Sequence, residues 1–277
     1  MPELPEVETT LRGIAPHLVG RRVVSVASSV PKLRLPIPES LAELLPGQTV
    51  HRLWRRGKYL LLHCDDGTLI FHLGMTGHLR VVPAGAIPGP FDHLDVVLDN
   101  GTLLRFTDPR KFGTVIWTTV DPLSHPLLAE LGPEPLGPTF DGLYLQDRAK
   151  GRIVAVKPFI MDNRVVVGVG NMYASEALFL ARINPGRPAG ELSSTDWERL
   201  AQAIRRTLKD ALAAGEGTLS DFIVAEKARP YFRVAFRVYG REGEPCFACG
   251  GPIRRTVLGQ RSTYFCPACQ DVAPPGR

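Results

Sequence analysis

Hydrophobic and polar positions change their period three times along the chain, and each change marks a different kind of element. Near the start, Val7, Leu11, Ile14 and Leu18 recur at helical spacing, which predicts a helix beginning almost at residue 4, with Pro16 expected to bend or divide it. From Val23 to about Trp117 the pattern becomes short β-rich runs: VVSVASSV, TVHRLW, YLLLHC, TLIFHL, LDVVL, TLLRF and TVIWTTV. Asp66-Gly67 and Asn100-Gly101 are hairpin-turn dipeptides between such runs. Seven or eight strands of this length predict a sandwich or flattened barrel. Residues 120–150 carry Pro122, Pro126, Pro133, Pro135 and Pro138 and read as a linker with one short helix.

Beyond Lys157 the period is helical again. The segment KPFIMDNRVVVGVGNMYASEALFLARINP predicts a helix, a turn punctuated by Gly168 and Gly170, and a second helix from about Asn171 to a stop at Asn184-Pro185. Thr195-x-x-Glu198 has the form of a capping box opening a long helix with Leu200, Ile204, Leu208 and Leu212 on one face, closed by Gly215. The expected class is α+β: a β-sandwich with a leading helix (1–120), a linker (121–150), a helical domain (151–225) and a C-terminal hairpin region (226–277).

Composition narrows what such a chain can be. With 44% hydrophobic and 22% charged residues among 277, a packed protein is expected and disorder as the main state is excluded. Apolar runs such as Tyr59–Leu62 fall far short of the about 18 to 20 residues needed to span a bilayer. The opening MPELPEVETT is acidic, unlike a secretory or transit segment, so a cytoplasmic protein is expected. The net charge of +5 is unevenly placed: residues 226–277 hold nine Lys and Arg against four Asp and Glu, while the rest of the chain balances. A local basic field of this kind faces polyanions, and nucleic acid is the commonest in a cytosol.

Four of the five cysteines fall as Cys246-x2-Cys249 and Cys266-x2-Cys269, the spacing of a zinc ribbon. Four sulfur ligands leave no open position, so one structural zinc ion is expected. Cys64, within YLLLHC, reads as a small core residue.

Candidate chemistry is concentrated in turns and at the N-terminus. Chains that begin Met-Pro normally lose the methionine, and Pro2 would then present a secondary amine, a nucleophile able to form an iminium with an aldehyde-like carbon. Glu3 and Glu6 place carboxylates within a turn of it, as a proton shuttle or as ordinary partners of a helix dipole. Lys58, after Arg55-Arg56-Gly57, is either a functional cation or an exposed edge-strand lysine. Met75, between Gly74 and Gly77, and Arg110 with Phe112 in DPRKFG are residue types that wedge into a base stack and replace an extruded base. Asn171 fits either a phosphate site at a helix start or a plain N-cap, and Arg261 reaches a phosphate or solvent.

Taken together, PELPEVE, RRGKYLLLH, HLGMTGHLR, DPRKFG, MDNRVVVGVGNMYASEALF, VYGREGEPC and the four-cysteine finger resemble bacterial formamidopyrimidine-DNA glycosylases over nearly the whole chain. The resemblance implies a bifunctional repair enzyme with a β-sandwich, a helix-two-turn-helix domain and a zinc finger, which removes 8-oxoguanine and formamidopyrimidines from damaged double-stranded DNA and cuts by β,δ-elimination. It makes Pro2 the nucleophile at C1′, Glu3 the proton donor and acceptor, and Lys58 a group acting in elimination or near the lesion phosphate. It implies that Met75 fills the space left by the flipped base, and that Arg110 and Phe112 meet the orphaned cytosine and wedge the neighbouring step. Asn171 and Arg261 would clamp phosphates, Arg261 also standing with the catalytic set, and His93 and Lys157 would add DNA contacts. A monomer without membrane association is expected with it. Between Asp221 and Tyr239 the sequence carries Arg229, Arg233 and Arg237 where the family usually has a glycine-rich loop capping the flipped base, which leaves the rank of lesions open. Two alternatives stand beside this reading: the sister endonuclease VIII, whose members usually begin Met-Pro-Glu-Gly-Pro-Glu where this chain has Leu4, and a zinc-ribbon protein that binds DNA without cutting it.

Overall fold

Helix α1 (Leu4–Leu18) starts where the apolar period places it, with Val7, Ile14 and Leu18 buried. Pro16 does not divide it, because it lies in the last turn, where the lost N–H interrupts the ladder only two residues before the helix ends. The computed structural model describes residues 2–216 and 235–270. In chain order there follow β1 (Val23–Ser28), α2 (Leu41–Leu44), β2 (Arg52–Arg56), β3 (Tyr59–His63), β4 (Thr68–His72), β5 (His78–Pro83), β6 (Asp92–Leu98), β7 (Thr102–Thr107) and β8 (Thr114–Thr118). Next come α3 (Pro126–Ala129), α4 (Gly142–Ala149), α5 (Val156–Met161), α6 (Asn171–Leu180), α7 (Ser194–Glu216), β9 (Arg254–Leu258) and β10 (Arg261–Phe265).

The chain divides into two compact units, Met1–Ala129 with Leu212–Phe232 and Glu130–Ala211 with Arg233–Arg277. The first holds two antiparallel four-stranded sheets, ordered β1-β6-β7-β5 and β2-β3-β4-β8. Side chains alternate faces along a strand, so every second residue reaches one core. Leu60 and Leu62, Leu69 and Phe71, Leu79 and Val81, Leu94, Val96 and Leu98, and Leu104 and Phe106 share that buried cluster with Val7, Ile14 and Leu18 of α1. The expected sandwich is thus formed, with hairpins at Asp66-Gly67 and Asn100-Gly101. Strand β5 lies within a stretch whose glycines direct attention to its turn, although Leu79 and Val81 alternate with His78 and Arg80 as a strand requires.

In the second unit, α5 and α6 are joined by two successive turns. The N–H groups of Val165 and Val166 both bond the carbonyl of Asp162, and Gly168 then takes a φ of 82°. Helix α6 ends at Leu180, earlier than the Asn184-Pro185 stop, and the chain leaves through Arg182 in a left-handed conformation. The cap of α7 also differs from the expected Thr195–Glu198 box: Ser193 Oγ accepts from the Asp196 N–H and Asp196 Oδ2 accepts from the Ser193 N–H, each at 3.1 Å. Glu198 turns instead to the Gly142 N–H and Gln202. Strands β9 and β10 pair as a hairpin whose two turn residues, Gly259 and Gln260, both have positive φ, as a type I′ turn requires. Of the segment from Asp221 to Tyr239 expected to cap a flipped base, residues 221–234 lie outside the described residues.

Candidate active site

Pro2 and Glu3 stand at the head of α1, Glu3 as its N-cap residue. Glu3 is 1% exposed, and its backbone N–H donates to Glu6 Oε2 at 2.8 Å, so Glu6 serves the helix end. The Glu3 side chain accepts the Glu6 backbone N–H in return, a reciprocal capping box that holds both carboxylates at the helix head, with Glu3 one residue from Pro2 in the chain.

Lys58 is the second residue of the β2–β3 turn. Gly57 supplies the positive φ of 57° that begins a type II′ turn, and Arg56 pairs with Tyr59 on either side. Lys58 is 8% exposed, so it is not an edge-strand lysine held in solvent. The turn is tied to α1: Arg55 donates through Nε to Glu8 Oε2 at 3.0 Å and through Nη1 to the carbonyl of Gly57 at 2.9 Å.

Behind the turn, His72 closes β4 with its ring 4.8 Å from that of Tyr59. Its Nδ1 accepts the Gly74 N–H at 3.1 Å. Burial, then the positive charges of Lys58 and Arg34, push its pKa down to about 4, so the ring is neutral.

The Met75 loop and the Arg110–Phe112 loop are packed backbone to backbone. A Cβ on Gly74, whose φ is 63°, would come within 2.5 Å of the Phe112 carbonyl carbon. Asp108, fully buried, holds both loops: Oδ1 accepts from Thr76 Oγ1 at 2.6 Å, and Oδ2 accepts from the Gly113 N–H at 2.7 Å. Above this support the Arg110 guanidinium stacks on the exposed Phe112 ring at 4.6 Å, and Met75 is half-buried. His93 lies beneath it, 2% exposed, with Nε2 2.9 Å from the Asp108 carbonyl.

In the second unit Lys157 is 0% exposed. Its Nζ donates to Asn171 Oδ1 (2.6 Å), Thr263 Oγ1 (2.8 Å) and the carbonyl of Ser262 (3.1 Å). Asn171 donates to the same carbonyl at 3.0 Å and is the first helical residue of α6, behind the N-cap Gly170. Lys157 therefore joins α5, α6 and β10 from inside. The contact also brings Asn171 to the strand that Arg261 begins, and Arg261 is exposed.

The Sγ atoms of Cys246, Cys249, Cys266 and Cys269 all lie within 4.8 Å of one another. Cys246 to Cys269 is 3.9 Å and Cys249 to Cys266 is 3.4 Å. Four thiolates about 2.3 Å from one ion stand about 3.8 Å apart, so the set fits a single tetrahedral zinc. Burial raises the Cys246 thiol, while the N–H groups of Ala248 and Cys249 and the thiols of Cys266 and Cys249 lower it, to about 7; Cys266 and Cys269 in the same set are raised, chiefly by burial. Gln270, fully buried, accepts from the Cys266 N–H and donates to the Ile183 carbonyl, fixing the finger to the helical unit.

Three contributors were not found from sequence. Asp108 and His72 lie inside the DPRKFG and HLGMTGHLR motifs, and nothing in those motifs marks either of them as a support. Glu176 on α6 is 2% exposed and accepts the N–H groups of Arg237, Val238 and Tyr239 at 2.8 to 2.9 Å. Its signal was a lone carboxylate within the otherwise uncharged NMYASEALFL.

A sandwich headed by a prolyl-glutamate helix, a two-turn helical unit and a four-cysteine finger together define a zinc-finger protein of the helix-two-turn-helix class. Family models agree segment by segment: a formamidopyrimidine-DNA glycosylase N-terminal domain over residues 1–115, its H2TH domain over 131–223, and a zinc finger found in FPG and IleRS over 243–272. A formamidopyrimidine-DNA glycosylase of Geobacter sulfurreducens is 61% identical over 270 residues, 98% of this chain and 100% of the relative. That of Geotalea uraniireducens is 56% identical with the same coverage. Among solved structures, Lactococcus lactis Fpg with DNA containing an abasic site matches with a TM-score of 0.87 at 31% identity, over 98% of this chain and 100% of that one. MutM with DNA containing carbocyclic 8-oxo-G matches with a TM-score of 0.88 at 32% identity and the same coverage. The chain belongs to the formamidopyrimidine-DNA glycosylase family.

Proposed function

We propose that this protein excises oxidised purines, 8-oxoguanine and formamidopyrimidines, from duplex DNA and then cleaves the strand by β,δ-elimination. The observation that carries the reading is the Pro2-Glu3 head of α1, where a buried carboxyl adjoins the one residue that becomes a secondary amine once Met1 is removed. In this reading the Pro2 nitrogen attacks C1′ of the damaged nucleotide as the bond to the base breaks, and Glu3 moves protons at the sugar. The iminium so formed acidifies C2′; loss of that proton expels the 3′ phosphate, and a second elimination expels the 5′ phosphate. Lys58 acts beside these steps. Met75, Arg110 and Phe112 enter the duplex, with Asp108 and His93 holding their loops, so His93 supports the interface in place of touching DNA. Asn171 and Arg261 hold phosphates, and Lys157 holds Asn171. One zinc ion bound by the four cysteines orders the hairpin that carries Arg261.

We further propose that the protein acts as a cytoplasmic monomer. Among the described residues no helix is long and apolar enough to cross a membrane. The test is excision from duplexes each carrying one defined lesion. Release of 8-oxoguanine and formamidopyrimidine opposite cytosine, well ahead of oxidised pyrimidines, is expected. Preference for oxidised pyrimidines would replace the purine reading with the endonuclease VIII one.

A further inference from the structure

The head of α1 and the Lys58 turn belong to different elements, and the Glu8–Arg55 ion pair ties α1 to the strand that leads into that turn. Glu8 sits just over one turn into α1 from the Pro2-Glu3 head, and α1 packs against β2. The Glu8 carboxylate takes the Nε–H of Arg55 on β2 through Oε2 and that of Arg12 through Oε1, each at 3.0 Å. Arg55 is only 11% exposed at its side chain, which excludes most of the solvent that would weaken such a pair at a surface. Its guanidinium then reaches forward, Nη1 to the Gly57 carbonyl at 2.9 Å, and Gly57 is the residue whose positive φ sets the turn presenting Lys58.

A planar guanidinium is needed for this double task. One face of the fork meets a carboxylate on the helix while another N–H meets a carbonyl two residues along the strand. An ammonium on the flexible lysine stem could serve either acceptor and would not fix both. We infer that Glu8 and Arg55 are positioning residues for the lyase chemistry: they set the Lys58 turn relative to the helix head that carries Pro2. The inference rests on the roles proposed above for Pro2 and Lys58. Neither Glu8 nor Arg55 touches the reacting atoms; both act through the backbone that carries Lys58.

The experiment is a mutant cycle on the full-length, zinc-loaded protein, read as the single-turnover rate of strand cleavage at a pre-formed abasic site. Arg55→Lys and Glu8→Ala should each lower the rate by about 10- to 100-fold, the cost expected of a misplaced catalytic group, with KM changed by less than about twofold. Glu8→Gln, whose amide oxygen still accepts the Arg55 Nε–H, should lose less than Glu8→Ala. In a Lys58→Ala background, Arg55→Lys should add little further loss, because its effect passes through Lys58. Full additivity in that background, or wild-type rates for both Arg55→Lys and Glu8→Ala while Lys58→Ala is slow, overturns the inference. A wild-type rate for Lys58→Ala instead defeats the underlying role of Lys58, and the inference with it. Thermal unfolding of each variant separates a lost fold from a lost position, and Glu8→Gln keeps the cycle readable if Glu8→Ala does not fold.

Discussion

Replacing Lys157 with methionine distinguishes a buried tie from a DNA contact. Methionine keeps much of the volume and removes the ammonium, which is wholly buried and donates to Asn171, Thr263 and the Ser262 carbonyl. Hydrogen bonds from a charged donor contribute about 1.5 to 3 kcal/mol each. Releasing a buried cation from its desolvation cost offsets several kcal/mol of that sum. A net loss of about 2 to 4 kcal/mol is expected, since three acceptors are left facing a thioether. The assay pairs thermal unfolding with affinity for undamaged duplex across a salt series. A residue that neutralises one phosphate lowers the slope of log K against log salt by about 0.9. Arg261→Ala should show that change with little loss of stability, because its side chain is exposed. Lys157→Met should lose stability and keep its slope. An unaltered melting temperature with a slope reduced by about 0.9 would refute the buried-tie account and return Lys157 to the phosphate-contacting set.

Other expectations follow from the same geometry. Arg110→Ala should reduce discrimination by the base opposite the lesion more than it reduces cleavage at a pre-formed abasic site; equal losses would indicate a general structural role. His72 is neutral when folded, with its pKa depressed to about 4, so the unfolded chain binds the proton first as pH falls. Stability attributable to His72 is therefore full above about pH 6.5 and is lost between about pH 6.5 and 4, amounting to about 3 kcal/mol. His72→Asn, which keeps an acceptor for the Gly74 N–H, should flatten that part of the stability profile, and an unchanged profile would contradict the assignment. Chelation of zinc should abolish DNA binding while leaving the sandwich core folded, as read by thermal unfolding and metal content; persistent tight binding by metal-free protein would count against the finger's role.

How much of this was legible in the sequence depended on whether the signal was local. Hairpin dipeptides, strand alternation and paired Cys-x2-Cys turns carry their own geometry, so the sandwich and the metal set could be read directly. The Ser193 cap was missed because Ser193-x-x-Asp196 and Thr195-x-x-Glu198 overlap, and only packing, which engages Glu198 with Gly142, decides between them. Lys157 and His93 carry basic side chains that tertiary structure buries, and no local pattern in the sequence marks that burial. Asp108 and Glu176 do their work on backbone N–H groups 5 and about 60 residues away, a partnership that leaves no periodic trace.

The most direct test of the account is borohydride trapping on abasic-site DNA with protein whose intact mass shows Met1 removed. Reduction of the iminium should leave DNA covalently attached, and peptide mapping should place it on the nitrogen of Pro2; Glu3→Gln should bind DNA but fail to release the damaged base. Attachment at Lys58 while the Pro2 amine is free would contradict the mechanism.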